Sequence, residues 1–312
     1  MWIPHNQLGP LRADSDRDAI RASDAAKEER AFVVGFVLCN TLTKSWETDL
    51  LVTPNDHRRE ISIDGKPATV YASGNVAGKL HEIIYTVPAT GSEHALATAY
   101  GHVVGELNRM ALQYGRSFEL AGWRVADVEF NARWRFAPFR PSALMPAPDQ
   151  GPLPAAYAEA LQLYREARSA SSPAWRLIAA GAILDAAVCR RAPFDKVSRD
   201  FANFPLTTNM LVQSGTLVTH PELKGGTAIL LRDIAEVTRQ AFITQLVALG
   251  GDTRAPDLRD FNCATSLVAL ANLVDLVAHD ILVESLRAEG HMRPVEDAAT
   301  ADNAATPEMA NA

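Results

Sequence analysis

The first 140 residues carry apolar positions spaced as in β-strands. Residues 31–38 and 80–87 are short apolar runs, and residues 49–53 form a weaker one. Residues 60–63 and 68–72 flank Asp64 and Gly65, a pair typical of a hairpin turn. Between residues 128 and 136, apolar and charged side chains alternate as they do in a half-buried strand. These segments predict an antiparallel sheet.

One segment of this half has a helical period instead. Between residues 92 and 114, Ala95, Ala99 and Val103 recur on one face, and Gly115 follows as a typical helix end. Ser92 is the predicted N-cap. The N-terminal half is therefore predicted to be α+β, with one long helix covering a face of the sheet.

The chain after residue 154 has a helical pattern throughout. Helices are predicted over residues 153–170, 173–189, 206–212, 226–249 and 260–288. The last one is apolar enough to suggest a membrane span at residues 264–283, but Asn272, Asp275 and Asp280 interrupt it, so a core helix is expected. The C-terminal half is predicted to be an all-α bundle.

Proline and polar composition suggest where the domains divide. Residues 141–154 hold five prolines, which neither a helix nor a central strand accommodates. We expect a polar N-terminal segment at 1–30, an α+β domain at 31–140, a Pro-rich linker at 141–154, a helical bundle at 155–290 and a disordered tail at 291–312.

Charge and cysteine content narrow the class of protein. The 312 residues include 30 Lys and Arg against 37 Asp and Glu, a net charge of −7, which disfavours a dedicated nucleic-acid binder. The N-terminus lacks an apolar signal core, and Cys39, Cys189 and Cys263 are too widely spaced for a disulfide framework. We expect a cytoplasmic protein with buried free thiols and no membrane segment.

Metal and acid–base chemistry have only weak candidates. On the long helix, His94, His102 and Glu106 are candidate metal ligands, although His102 and Glu106 are better explained as a surface pair at helical spacing. His57 and His81 complete a site only if the fold brings them close. The sequence contains neither HExxH nor CxxC, so no metal and no cofactor is expected.

On the last helix, Asp275 and His279 have the spacing of a base and its orienting carboxylate, or of a polar pair at a helix interface.

A basic and aromatic stretch includes Arg133, Arg135 and Arg140, a pattern that also occurs in single-strand nucleic-acid binders. Strand alternation already explains this spacing, with the aromatic side chains inward and the arginines outward.

The stretch 161–184 is the most distinctive, and it predicts a helical hairpin. Its first helix contains Tyr164, Arg165 and Glu166, and Pro173 opens the second helix, where Trp175 is expected to face the first. This sequence resembles the pattern of the methylamine utilization MauJ family. The strand-rich half followed by this hairpin and further helices is similar to that family's layout.

The resemblance implies a part in bacterial methylamine utilization. Because the sequence also lacks an active-site motif, we expect an accessory protein that acts through protein–protein contacts without catalysis. The wide apolar stripes of the predicted helices add self-association as one such contact. The resemblance implies no catalytic residue. The helical half also resembles HEPN bundles, some of which are nucleases with four to six residues between an Arg and a His. Arg287 and His291 are separated by three residues, which departs from that pattern. The alternative function is thus a metal-dependent hydrolase or HEPN-like nuclease with its site at the domain junction.

Overall fold

A computed structural model describes residues 11–41, 48–52, 58–136, 153–248 and 256–292. Strands fill the first half and helices the second, which confirms the predicted α+β class. The strands are β1 (Arg12–Ala13), β2 (Arg30–Asn40), β3 (Arg59–Ile63), β4 (Lys66–Gly74), β5 (Leu80–Ala89), β6 (Phe118–Asp127) and β7 (Ala132–Phe136). The helices are α1 (Arg17–Ala25), α2 (Ser92–Tyr114), α3 (Ala158–Ser169), α4 (Pro173–Val188), α5 (Thr208–Ser214), α6 (Thr216–Thr219), α7 (Ala228–Ala248) and α8 (Phe261–Ala288).

The seven strands form one antiparallel sheet in the order β1-β7-β6-β2-β5-β4-β3. Strand β2 is the longest and lies between β5 and β6. The β3–β4 hairpin turns at Asp64 and Gly65, whose φ angles of 53° and 77° are both positive, as the predicted Asp-Gly turn requires. Of the weaker run at 49–53, Leu51 makes a single bridge to Lys79.

Helix α2 covers one face of the sheet and matches its predicted bounds. Its apolar stripe packs against buried side chains such as Phe36 and Tyr85. The N-cap is Gly91 rather than the predicted Ser92, which is the first helical residue, and no side chain caps the helix. The helix ends at Gly115 with φ 62°, as predicted.

The strand predicted at 128–136 is shorter in the structure. A turn that includes Asn131 at φ 53° separates β6 from β7, and only Ala132–Phe136 is strand. Strand β6 itself was not predicted. A bulge shifts its register against β2 between Val37 and Leu38, and this interrupts the alternation that periodicity would detect.

The sheet face opposite α2 carries an ion pair that crosses the central strand. Glu82 of β5 accepts two hydrogen bonds from Arg124 of β6, at 2.6 and 2.5 Å, above Gly35 of β2. A Cβ atom on Gly35 would lie 2.1 Å from Oε1 of Glu82. A larger residue at this position would therefore displace the carboxylate from its ion pair with Arg124.

Helix α8 is the centre of the bundle and packs against α3, α4, α5, α6 and α7. Asp260 caps its N-terminus by accepting a hydrogen bond from the backbone of Cys263. By length and composition α8 could cross a membrane, yet 78% of its most apolar window is buried inside the protein. A buried core helix can have the same length and apolar composition as a membrane-spanning helix.

The two halves meet where α2 approaches the start of α8. The rings of Tyr100 and Phe261 lie 5.2 Å apart edge to face, and Ala264 belongs to the core of the sheet side. The predicted linker at 141–154 and tail at 291–312 fall largely outside the described residues. Within the predicted polar segment, α1 contributes the buried Ser23 to the protein interior.

Candidate functional site

The helical hairpin singled out in the sequence consists of α3 and α4. Tyr164 is half-buried, with its ring 5.8 Å from the imidazole of His279, whereas Arg165 and Glu166 form an exposed ion pair at 3.0 Å. Pro173 occupies the first turn of α4, as predicted. Trp175 is 55% exposed, so the expected packing of this side chain inside the hairpin is wrong.

Two arginines of the hairpin connect it to α8 through a buried polar cluster. Arg168 of α3 donates to Asp275 at 2.7 Å, and Arg176 of α4 donates to Asn272 at 2.8 Å. Asp275 and Arg176 are fully buried. Burial lowers the pKa of Arg176 to about 10, while the negative charge of Asp275 opposes this shift. Arg176 is therefore still a cation at neutral pH.

The cluster extends to the sheet half through Glu119 of β6, whose negative charge also favours the charged form of Arg176. Beside it, a cleft of about 220 Å³ opens between α2, β6, the α3–α4 turn and the start of α8. Polar groups enter this mainly apolar cleft from Tyr100, Glu119 and Ser171. The structure thus places a small cleft and a charged cluster side by side where the two halves meet.

Tyr100 is the most buried of the polar residues in the cleft, at 6% exposure. Its ring packs against Phe36 and Phe261, at centroid distances of 6.5 and 5.2 Å. Within the described parts of the chain, its hydroxyl makes no hydrogen bond to another side chain or to the backbone. Burial raises the pKa of Tyr100 to about 12, and the negative charge of Asp260 adds to the shift.

The structure gives Asp275 and His279 different partners. Asp275 faces Arg168, whereas Nδ1 of His279 lies 2.9 Å from the carboxylate of its neighbour Asp280. The candidate pair is thus divided between a buried ion pair and a half-exposed contact beside Tyr164. These contacts resemble the second interpretation of the two residues, polar groups at a helix interface, more than a base with its orienting carboxylate.

The candidate metal ligands on α2 are spread over three separate contacts. His94 lies 3.1 Å from the hydroxyl of Thr90, and Nδ1 of His102 lies 3.1 Å from the hydroxyl of the buried Tyr85. Glu106 pairs with Arg109 and with Arg59. Burial lowers the pKa of His102, and the charge of Glu106 opposes this.

No group of three His, Cys, Asp or Glu side chains converges among the described residues. His81 lies half-buried on β5. His57 lies outside the described residues.

The arginines near β7 are held at the surface. Arg135 pairs with Asp14 at 3.1 Å, and the backbone of Arg133 bonds to Ser15. Trp134 points into the core, as the alternation predicted. Arg140 lies outside the described residues.

His291 lies 3.8 Å from Glu289 at the exposed end of α8, close to Arg287 in the sequence.

Cys189 and Cys263 are exposed and Cys39 is half-buried, so the prediction that all three thiols are buried is wrong. Among the described residues, none of the three is joined in a disulfide bond.

Sequence reasoning did not identify Tyr100, Glu119, Arg176 or Asn272 as site residues. Arg176 and Asn272 did leave a signal, since each is a polar residue within an otherwise apolar helix. Buried polar groups in such positions need partners, and this need predicts that the two residues lie close to other polar groups.

Comparison with known proteins identifies the family. Residues 5–136 match the family model described as methylamine utilization protein MauJ, N-terminal domain. Methylamine utilization protein MauJ of Paracoccus versutus is 37% identical over 94% of this chain and 97% of its own length. The proteins of that name from Methylorubrum extorquens and Paracoccus denitrificans are 36% and 35% identical, each over 92% of this chain and 96% of their own lengths. No solved structure matches the chain significantly. With this identity along nearly its whole length, the chain belongs to the methylamine utilization protein MauJ family.

Proposed function

We propose that this accessory protein of methylamine utilization acts in the cytoplasm through contacts with other proteins, without catalysing a reaction. The observation that carries the proposal is that candidate catalytic and metal-binding side chains named from the sequence are bonded to other side chains of the protein. Asp275, His102 and Glu106 each have a partner that accounts for them structurally. A catalytic group must instead reach a substrate atom.

Exposed apolar side chains add support for a role in protein contacts. Helices α4 and α7 pack against each other and expose Trp175, Val237, Leu246 and Val247 to solvent. Interfaces are enriched in aromatic residues, and tryptophan often contributes much of their binding energy. The partner is then another protein of the same system or a second copy of this chain.

Complementation of a deletion strain tests this proposal. A strain lacking the gene is grown on methylamine and supplied with the wild-type chain, with Trp175→Glu and Val237→Glu combined, or with His94→Ala and His279→Ala combined. We expect the surface variant to fail and the histidine variant to restore growth, both at wild-type protein levels. Failure of the folded histidine variant would contradict the non-enzymatic role. Normal growth of the deletion strain would contradict the assignment to the pathway.

The alternative proposal is an enzyme with its site at the junction of the halves, favoured by the buried charges beside the cleft. A metal-dependent hydrolase predicts stoichiometric metal in the purified protein that is lost in His94→Ala and His102→Ala. A HEPN-like nuclease predicts RNA cleavage that is lost in His291→Ala. Elemental analysis and an RNA cleavage assay at low salt decide between these enzymes and the accessory role.

A further inference from the structure

Arginines stand directly opposite one another on three adjacent strands of the sheet. The register pairs Arg12 of β1 with Arg135 of β7, and Arg135 in turn with Arg124 of β6. Directly opposed residues project from the same face of a sheet, and adjacent strands lie about 4.8 Å apart, so the three arginines start within roughly 10 Å of one another. Arg133, two residues from Arg135 on β7, projects from the same face. We call these four residues the arginine patch.

The arginine patch lies on the sheet face opposite α2. Trp134 of β7 and Val125 of β6, which alternate with the arginines, are buried in the core that α2 covers. All four arginines are exposed, and the side chains of Arg124 and Arg135 are 62% and 63% accessible to solvent. A partner can therefore reach the patch without any movement of α2.

Positive charge exceeds negative charge in the arginine patch. Glu82 accepts hydrogen bonds from Arg124, and Asp14 pairs with Arg135 at 3.1 Å. Within the described parts of the chain, the side chains of Arg12 and Arg133 form no ion pair. Like charges directly opposite on neighbouring strands are destabilising, so the patch costs stability in the isolated chain. An anionic partner would remove this repulsion, and guanidinium groups bind carboxylates through paired hydrogen bonds.

The rest of the same face favours an acidic protein over a nucleic acid. Across β2, β5 and β4 the two rows that start at Arg124 and Arg133 continue through uncharged residues: Gly35, Ile84 and Tyr71 in one, and Ala126 of β6, Val33, Thr86 and Thr69 in the other. A nucleic acid carries a phosphate at every nucleotide and would place some of these charges over the uncharged rows. A protein segment can instead follow its acidic residues with apolar ones.

We infer that the arginine patch docks an acidic segment of a partner protein, whose carboxylates pair with the arginines and whose apolar side chains contact the uncharged rows. This surface belongs to the sheet half, whereas the exposed apolar side chains that support the proposed function belong to α4 and α7. It is a second interaction surface, and the inference does not depend on the first one.

Fluorescence anisotropy with three labelled probes tests the inference on the full-length protein at neutral pH. The probes are an octapeptide of four glutamates followed by Val-Thr-Val-Thr, the same peptide with glutamines in place of the glutamates, and octauridylate. We expect saturable binding of the acidic peptide and at least about tenfold weaker binding of the other two probes. Binding of the acidic peptide should also weaken between about 50 mM and about 300 mM salt, because salt screens exposed charges.

Paired variants then assign the binding to the arginine patch. Arg12→Gln and Arg133→Gln combined should weaken binding of the acidic peptide about tenfold, by removing two exposed ion pairs. Arg165→Gln and Lys224→Gln combined remove the same charge from exposed positions of the bundle half and should leave affinity unaltered. Because the opposed arginines repel, the first variant should unfold at a urea concentration no lower than that of the wild type. Arg133→Gln alone, with about threefold weaker binding expected, replaces it if circular dichroism shows that the double variant is not folded.

Several results would overturn the inference. Unchanged affinity in the folded patch variant shows that the peptide binds elsewhere, and equal affinity for the glutamine peptide contradicts charge recognition. Equal or tighter binding of octauridylate assigns the patch to nucleic acid. Self-association of the free protein in sedimentation velocity, if abolished by the patch variant, assigns the patch to a second copy of the chain. Absence of saturable binding by the acidic peptide rejects the surface and leaves the complementation result for α4 and α7 unaffected.

Discussion

The buried carboxylate of Asp127 provides the sharpest test of how the sheet half is stabilised. Asp127 is 1% exposed and accepts hydrogen bonds from the hydroxyl of Ser23 at 2.5 Å and from Nε of Arg30 at 2.8 Å. A second guanidinium nitrogen of Arg30 lies 2.7 Å away, and the backbone N–H of Glu129 donates at 3.1 Å. The substitution Asp127→Asn keeps the shape and removes the charge.

The expected loss is large because the whole pair is removed from solvent. The amide retains one acceptor oxygen and turns an NH₂ group toward Arg30, whose side chain is itself only 7% exposed. Breaking one side of a buried ion pair costs about 3–5 kcal/mol. Arg30 also lies over the rings of Phe32 and Phe130, at 4.9 and 5.0 Å, and these contacts persist. We therefore expect a decrease of about 3 kcal/mol in the free energy of unfolding.

Urea unfolding monitored by tryptophan fluorescence measures this difference, and Asp14→Asn is the matched control. Asp14 and Arg135 also pair at 3.1 Å, but their side chains are 40% and 63% exposed, so the control should lose less than about 0.5 kcal/mol. An Asp127→Asn variant as stable as the control would refute the reasoning.

The same variant predicts how stability depends on pH. Burial alone would raise the pKa of Asp127, but hydrogen bonds from Arg30 and Ser23 hold it below its usual 3.8. The stabilisation is fully present above pH 3.8, where the unfolded carboxyl is also ionised, and is lost as the pH falls through the lower folded pKa. The difference between wild type and Asp127→Asn should narrow over that acid range. A constant difference there would contradict the assigned cause.

Two further substitutions with matched controls test other contacts by the same unfolding assay. Gly35→Ala should destabilise by about 1–2 kcal/mol because its Cβ displaces Glu82, whereas Gly105→Ala, with open space around it, should stabilise α2 by about 0.5–1 kcal/mol. Equal effects of the two changes would contradict the close-approach argument. Arg168→Ala removes one cationic partner of the fully buried Asp275 and should cost about 2–4 kcal/mol. Arg165→Ala breaks only an exposed pair and should cost a few tenths of a kcal/mol. Similar losses for both arginines would argue that the buried pair contributes little.

Periodicity in the sequence was enough to predict the fold class and most elements. Helix α2 buries one face against the sheet, and α8 is buried on all sides between Leu267 and Ala278, so both segments stand out in the apolar pattern. Strand β6 was not predicted, because the bulge opposite Val37 shifts its register against β2 and so breaks the alternation of buried and exposed positions. Trp175 was expected to pack inside the hairpin but is exposed, because helical spacing does not say which face of α4 contacts a neighbouring element.

The candidate site was predictable only in part. The expectation of a site at the junction named residues that turned out to lie in local pairs, such as His94 beside Thr90. The residues that do line the cleft, including Tyr100, Glu119 and Val268, are far apart in the sequence and come together only when the two halves pack. Such convergence depends on tertiary geometry and has no signature in spacing.

The position of α8 has a consequence for how the protein assembles during synthesis. This helix fills the centre of the bundle and also touches α2, yet it follows every other described element along the chain. Until translation passes residue 288, the apolar faces of α2 and α4 that it covers are open to water, to chaperones and to other nascent chains. The contacts between α2 and α8, which join the two halves, form only after this helix has been made. A chain that stops before Phe261 would lose both the core of the bundle and the joint to the sheet.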